Sequence, residues 1–482
     1  MKTITHRIGT RAEAGAAPDE MDDLDPSDQR RVLARYAPLS AAQARELVDI
    51  VAESSRWRRT PAIERGAVLL RAAAILRERK EQFAEIIASE NGKVLREARV
   101  EVEKSADFFE FYGALARSAQ GTLLADARPN SHARVLTEPI GLVLAICPWN
   151  DPLLTPARKL APALAAANQV LLKPARDTPL AALILEDVLR DAGLPDDALG
   201  VLVCTPSILD ETVLDDRRLA GVTFTGSNAV GNALRSRLAP RNVRLQTEMG
   251  GKNAAIVADD ADIDLAVEAI LGAAFGQAGQ RCTATSRLIA CAGVHDRLID
   301  ELARRVTKIA VGPSLDPATA MGPLVTLDHR ASVQGQVHCA IDAGAELLAG
   351  GSVPDKPNLA HGCFFAPTLL AGVGPGTALW QEEVFGPVLA AWRAESVDEA
   401  IALANASAYG LSASVFTTSL ATAERAIAEV DTGQIAVNLP TSGWDVHHPF
   451  GGFRDSGSAF KEQGVQGLQF YTRVKTAAVR FG

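Results

Sequence analysis

GLVLAICPWNDPLLTPARKLAPALAAANQVLLK, residues 141–173, alternates between two kinds of apolar run. GLVLAIC (141–147) and QVLLK (169–173) are short and unbroken, as expected of strands buried on both faces. Between them PLLTPARKLAPALAAA (152–167) reads as a helix, with Pro152 in its first turn. A second helix, PLAALILEDVLRDAG (179–193), follows and is closed by Gly193. This order calls for a mostly parallel sheet with helices on both faces, an α/β fold.

The pattern continues on both sides. Downstream lie ALGVLVC (198–204), GVTFTG (221–226), the helix NAVGNALRSRL (228–238) and the strand NAAIVAD (253–259). A second run of the same type starts at DIDLAVEAILGAAFG (262–276) and passes ALANASAYGLSASVFT (402–417), which predicts a second α/β domain. Upstream, Ser40 and Gln43 form a capping box for SAAQARELVDIVAES (40–54). IERGAVLLRAAAILRERKEQFAEIIASE (63–90) reads as one amphipathic helix. The polar, acidic first thirty residues read as a loose arm. GTLLADARPNSHARVLTE (121–138) and LQFYTRVKTAAVRF (468–481) alternate like strands but fit neither domain, and are expected to form a protruding sheet used in subunit contact.

Bulk properties narrow the function. A chain of 482 residues exceeds one hydrophobic core, and its 47% hydrophobic and 22% charged residues are ordinary for a globular protein. A net charge of −9 without a basic block argues against nucleic acid or an anionic membrane as partner. The opening residues contain no apolar signal segment, and no stretch reaches the roughly 18 apolar residues of a membrane helix. Cys147, Cys204, Cys282, Cys291, Cys339 and Cys363 are scattered, without CxxC spacing. That usage predicts reduced thiols, a cytoplasmic protein and no metal site.

Three short motifs carry chemistry. In LQTEMGGKNAAIV (245–257), Glu248 precedes Gly250 and Gly251, whose missing side chains let a ligand approach closely. In AGQRCTATSR (278–287), Cys282 sits among small and polar residues. In CPWNDP (147–152), Asn150 falls between a strand and a helix, where its amide can donate to a developing oxyanion. Singly, each has an ordinary alternative: a surface carboxylate at a turn, a small buried hydrophobe and a helix cap.

PWN (148–150), FTGS (224–227), TEMGGKN (247–253), GQRCTA (279–284), EEVFGP (382–387) and PFGG (449–452) stand in the order and spacing of the aldehyde dehydrogenase superfamily. From about residue 40 to its end the chain resembles that family, in its NAD(P)-dependent, non-acylating form. Only the N-terminus departs, with the family's first strands abbreviated. The resemblance implies a Rossmann-type cofactor domain over 1–120 and 139–250, a catalytic domain over 251–455, and an oligomerisation arm from 121–138 and 467–482. A homodimer or homotetramer is expected.

The resemblance also implies roles. Cys282 attacks an aldehyde, Asn150 and the Cys282 N–H hold the oxyanion, and Glu248 activates water against the thioester. Glu248 separates the chain from relatives that pass the acyl group to coenzyme A. Backbone dipoles are expected to activate the thiol, with Arg281 pointing away. Gly226, Ser227 and Gly231 receive a pyrophosphate at a strand-to-helix turn. Lys173 contacts the adenosine ribose, Glu383 and Phe385 hold the nicotinamide ribose, and Trp149 and Gly250 complete the cofactor set. Arg176 stands where NAD-preferring members place a glutamate, which predicts NADP over NAD, with dual use as the alternative.

Arg158 stands where semialdehyde dehydrogenases carry an arginine for the substrate's distal carboxylate; an internal salt bridge is the alternative. Phe450 is placed at the substrate pocket. The flanks CTATSR and PFGGFRDSG resemble the 2,5-dioxopentanoate branch, with succinate semialdehyde next and a phosphonate-bearing or neutral aldehyde as alternatives. An inactive binding protein would show damage at Cys282, Glu248 or Asn150, and all three are present.

Overall fold

Strands Leu142–Ile146 and Gln169–Lys173 pair in parallel, joined by the helix Leu154–Ala165. The structure is a computed structural model and describes residues 2–118 and 121–481. The expected boundary residue 120 and the arm's last residue, 482, lie outside them. Pro152 falls in a turn before the helix rather than in its first turn, because the chain is held there by a buried side chain: Glu101 accepts from the Leu153 and Leu154 N–H groups. The full sheet runs in the order Leu199–Val201, Gln169–Lys173, Leu142–Ile146, Leu219–Thr225 and Arg244–Glu248, all parallel.

Successive residues of these strands face opposite layers. Val143, Ala145, Val170 and Leu172 pack against the helices Ala62–Glu78, Leu95–Leu115 and Pro179–Asp191. Leu142, Leu144 and Leu171 pack against Leu47, Val48 and Val51 of the helix Ala41–Glu53. Burial of both faces explains the unbroken apolar runs. Ser40 and Gln43 do cap each other across the start of that helix, and Gly193, at φ +96°, ends the helix Pro179–Asp191 in the left-handed conformation.

A second sheet has seven strands in the order Glu346–Ala349, Thr368–Ala371, Val388–Ala394, Thr285–Cys291, Asn253–Val257, Ser412–Phe416 and Gln434–Val437. Only its first strand is antiparallel to its neighbour. Thr472–Arg480, Ser131–Pro139 and Gly121–Ala125 form a separate antiparallel sheet, so the two segments that fitted neither domain pair with each other.

Two expectations are corrected. The N-terminal residues are not a loose arm: His6–Ile8 and Arg11–Glu13 make a hairpin, and Asp28–Tyr36 pairs with Met21–Asp25. Few apolar residues are needed there, because Ala34 and Tyr36 join an existing core and Asp22–Arg35 and Asp25–Arg31 pair at 2.5 and 3.0 Å. The run 63–90 is two helices, Ala62–Glu78 and Lys80–Asn91, broken at Arg79. The break falls in a polar stretch with no apolar side chain to resist it, and Arg79 pairs with Asp191 of a neighbouring helix. No helix among the described residues is long and apolar enough to cross a membrane.

Candidate active site

The carboxyl ends of parallel strands are where α/β sheets place their ligands. Asn150 follows the strand Leu142–Ile146, Ser227 follows Leu219–Thr225, and Glu248 ends Arg244–Glu248. These neighbouring strands bring three sequence-distant motifs to one edge. Cys282 reaches the same place from the other sheet, in a turn between the short 3-10 helix Gly276–Gly279 and the strand Thr285–Cys291. It stands at no helix N-terminus, so any backbone dipoles acting on the thiol are those of the turn itself.

The approach to Cys282 is conformationally costly. Gln277, Ala278 and Gly279 have φ of +50°, +53° and +69°, a left-handed run that disfavours side chains. Gly279 is required, since a Cβ there would lie 2.1 Å from the Gly386 carbonyl oxygen. Beyond the turn, the Asn253 amide donates to the Cys282 and Ala284 carbonyls at 2.7 and 2.8 Å. Asn150 is also fixed from both sides. Its carbonyl accepts from the buried Lys93 ammonium at 2.7 Å, and its amide donates to the Gln280 carbonyl at 3.1 Å, two residues before the cysteine.

Two cavities meet at Cys282, sharing Asp151, Arg158 and Phe450 in their walls. The inner one, about 930 Å³, is lined by Trp149, Asn150, Gly226, Ser227, Glu248, Gly250, Glu383 and Phe385 among others. The outer one is lined by Phe108, Arg281, Thr283 and Trp444 with the shared residues. Arg281 therefore does not point away from the site. Its Nε is held by the Gln277 side chain, and the side chain forms part of the outer wall.

Burial sets the electrostatics. The Cys282 thiol is pushed up to about 12 by desolvation, which Arg158 partly offsets. Glu248 ends its strand almost fully buried, with neither carboxylate oxygen hydrogen-bonded. Desolvation, then the nearby Glu462 charge, hold its carboxyl well above the usual range, against Lys159, Lys461 and Arg158. Burial thus favours the protonated form of both groups.

The sequence reading missed Glu462, which lies 303 residues from its partner Lys159 and pairs with it in the interior. Lys159 also donates to the Thr223 hydroxyl at 2.9 Å. Arg158 reaches the same carboxylate at 3.6 Å, while its Nε has no hydrogen-bond partner among the described residues. Its guanidinium lies 4.9 Å from the Phe450 ring centroid and 5.7 Å from that of Phe108. One carboxylate shared by two cations leaves Arg158 with unspent donors toward the cavity. Lys93, Glu101 and Asp151, which fix the Asn150 turn, were also missed. The isolated NGK (91–93) and ND (150–151) runs in the sequence give no hint of that cluster.

The candidate cofactor residues divide into two groups. Ser227 caps the helix Asn228–Leu238 by accepting from the Val230 N–H, and with Gly226 it puts the start of that helix at the inner cavity. Gly231, one turn on, packs against Met249, where a Cβ would lie 2.4 Å from the sulfur. Glu383 accepts from the Gly251 N–H at 2.9 Å, and its carboxyl is raised to about 7 by burial. A Cβ at Gly250 would lie 2.2 Å from the other Glu383 oxygen. The Thr225 hydroxyl is buried in the same cavity without a partner. These groups fit a sugar–phosphate ligand. Trp149 and Phe385 meet edge to face at 5.4 Å, with His329 5.5 Å from the tryptophan. His329, a further residue the sequence did not single out, lies 2.8 Å from the Phe385 carbonyl and steadies its φ of +55°.

Lys173 and Arg176 stand outside that cavity. Lys173 donates to the Pro174 carbonyl at 2.9 Å, and burial lowers its ammonium from the usual lysine range. Arg176 is 69% exposed beside Asp177, at 3.4 Å, on a separate groove that includes Asp22, Asp23 and Asp328.

A family model described as the aldehyde dehydrogenase family matches residues 13–477. The 2,5-dioxopentanoate dehydrogenase of Saccharolobus solfataricus is 39% identical over 463 residues, 95% of this chain and 96% of that protein. The alpha-ketoglutarate semialdehyde dehydrogenase of Haloferax volcanii is 39% identical over 467 residues, 96% of each. Among solved structures, Staphylococcus aureus betaine aldehyde dehydrogenase in complex with NAD+ superposes with a TM-score of 0.95 at 29% identity, covering 99% of this chain and 94% of that one.

Proposed function

The chain belongs to the aldehyde dehydrogenase family, and from that premise we propose that it oxidises a short acidic semialdehyde, 2,5-dioxopentanoate or succinate semialdehyde, with NADP preferred over NAD. Oxidation of an aldehyde with NAD(P) is the activity of the family. The substrate reading rests chiefly on one observation. Cys282 sits where two cavities meet, and Arg158, with an unpartnered Nε, lines both. The names of the two 39% identical relatives agree with it.

In this reading the Cys282 sulfur attacks the aldehyde carbon after its proton has left. The Asn150 amide turns from the Gln280 carbonyl to the developing oxyanion, joined by the Cys282 N–H. When bound in the inner cavity, NAD(P) supplies the acceptor for the hydride released from the aldehyde carbon. Glu248 then takes a proton from the water that cleaves the thioester, and the thiol leaves. Arg158 holds the distal carboxylate, supported by Phe450 and Phe108. Ser227, Gly226 and the first turn after them receive the pyrophosphate, and Glu383 and Phe385 hold the ribose beside Trp149 and Gly250. Lys173 and Arg176 take the adenosine end.

Among the described residues Arg176 has only the adjacent Asp177 as ion-pair partner, which leaves it able to swing to a 2′-phosphate. We therefore expect turnover with both cofactors and a higher kcat/KM for NADP. Absorbance at 340 nm with each cofactor tests this, and Arg176→Glu is expected to move the preference to NAD. A wild type that strongly favours NAD would remove the assignment. The six cysteines are all free, in keeping with a cytoplasmic setting. The exposed sheet edge at Gly121–Ala125 supports a homodimer or homotetramer.

A further inference from the structure

The outer cavity carries three cations, Lys104, Arg158 and Arg281. Their partners differ. Lys104 pairs with Asp445 at 3.2 Å and Asp107 at 3.6 Å, and Arg158 shares Glu462. Among the described residues Arg281 has no carboxylate within ion-pair distance, and its one hydrogen bond is from Nε to Gln277. The acids of the same wall are already engaged. Glu97 accepts from the Gln277 N–H at 2.9 Å, Asp151 from Lys93 at 3.0 Å and from the Gln277 amide at 2.9 Å, and Glu101 holds Lys93.

The chain also makes room for this guanidinium. Gly276 has no side chain, and a Cβ there would touch Arg281 Nη1 at 3.4 Å and Glu97 Oε1 at 3.5 Å. Gln277, which clamps Nε, is buried and held in the left-handed conformation. A charged group thus has a fixed stem, a small neighbour in Gly276 and free terminal donors facing a cavity that opens on Cys282. Arg158 lines both cavities, whereas Arg281 lines only the outer one.

We infer that Arg281 is a second anion anchor, which reads the length of the acidic aldehyde. A four-carbon semialdehyde places its carboxylate at Arg158. A five-carbon 2-oxo acid reaches further out, so its terminal carboxylate, still held by Arg158, also meets the Arg281 donors. The inference rests on the semialdehyde reading above and deepens it. Arg281 acts in specificity, leaving the bond-making atoms to others.

The test compares 2,5-dioxopentanoate, succinate semialdehyde and butanal with the wild type, Arg281→Ala, Arg281→Lys and Gly276→Leu. Arg281→Ala is expected to raise KM for 2,5-dioxopentanoate about tenfold, the scale of one lost charge-assisted hydrogen bond, and for succinate semialdehyde only about twofold. Arg281→Lys should recover part of the loss. Gly276→Leu should reproduce it without altering charge beside Cys282. Equal KM changes for the two acids, or an equal fall in kcat on all three aldehydes, would overturn the inference alone. A wild type with no preference for either acid over butanal would overturn it together with the semialdehyde reading.

Discussion

At the scale of single residues, Cys282 and Glu248 share one physical condition, burial that favours the protonated form of each. In the proposed mechanism each acts without its proton, so kcat/KM should rise with pH from neutrality into the alkaline range. A profile that falls over that range would contradict the assignment. The sign for stability is opposite. A carboxyl held above its usual range keeps its proton in the folded protein while the unfolded chain has lost it, so stability falls as pH rises through that window. Glu248→Gln removes this loss. Its stability advantage should grow as pH rises above the usual carboxylate range, by at most about 1.4 kcal/mol per pH unit, in denaturant titrations. The same variant should lose about a hundredfold in steady-state rate while still releasing a first equivalent of reduced cofactor. Cys282→Ala should abolish oxidation and retain cofactor binding by fluorescence; surviving turnover would place the nucleophile elsewhere.

At the scale of elements, the loop before Cys282 carries the tightest backbone constraint. Gly279→Ala adds a Cβ against the Gly386 carbonyl at a left-handed position, and about 2 kcal/mol or more of stability should be lost in thermal unfolding. An unchanged Tm would mean that the loop is built differently. Which elements could be read in advance follows from where their determinants lie. The capping box at Ser40, the helix Asn228–Leu238 and the strand Asn253–Val257 are specified by adjacent residues, and their starts were legible, although the strand ends two residues before the expected 259. The break at Arg79 and the ordering of the first thirty residues depend on partners far along the chain, such as Asp191 and the core around Ala34 and Tyr36. The candidate site divides likewise. Cys282, Glu248 and Asn150 lie in recognisable motifs, whereas Glu462, Lys93 and His329 gain meaning only through neighbours that the fold brings to them.

At the scale of the whole molecule, the antiparallel sheet leaves Gly121–Ala125 as an exposed edge, with Leu123 and Leu124 in solvent in the single chain. Leu123→Asp with Leu124→Asp should lower the mass found by sedimentation equilibrium; an unchanged assembly would move the interface elsewhere. The central claim concerns the two cavities that meet at Cys282, one for NAD(P) and one for an acidic aldehyde. It is tested most directly by kcat/KM for 2,5-dioxopentanoate and for pentanal, with the wild type and Arg158→Ala, followed at 340 nm. The account predicts that the wild type favours the acid by about a hundredfold, the worth of a well-placed charged contact, and that Arg158→Ala loses most of that preference through KM. A wild type indifferent between the two aldehydes, or an Arg158→Ala enzyme that loses equally on both, would contradict it.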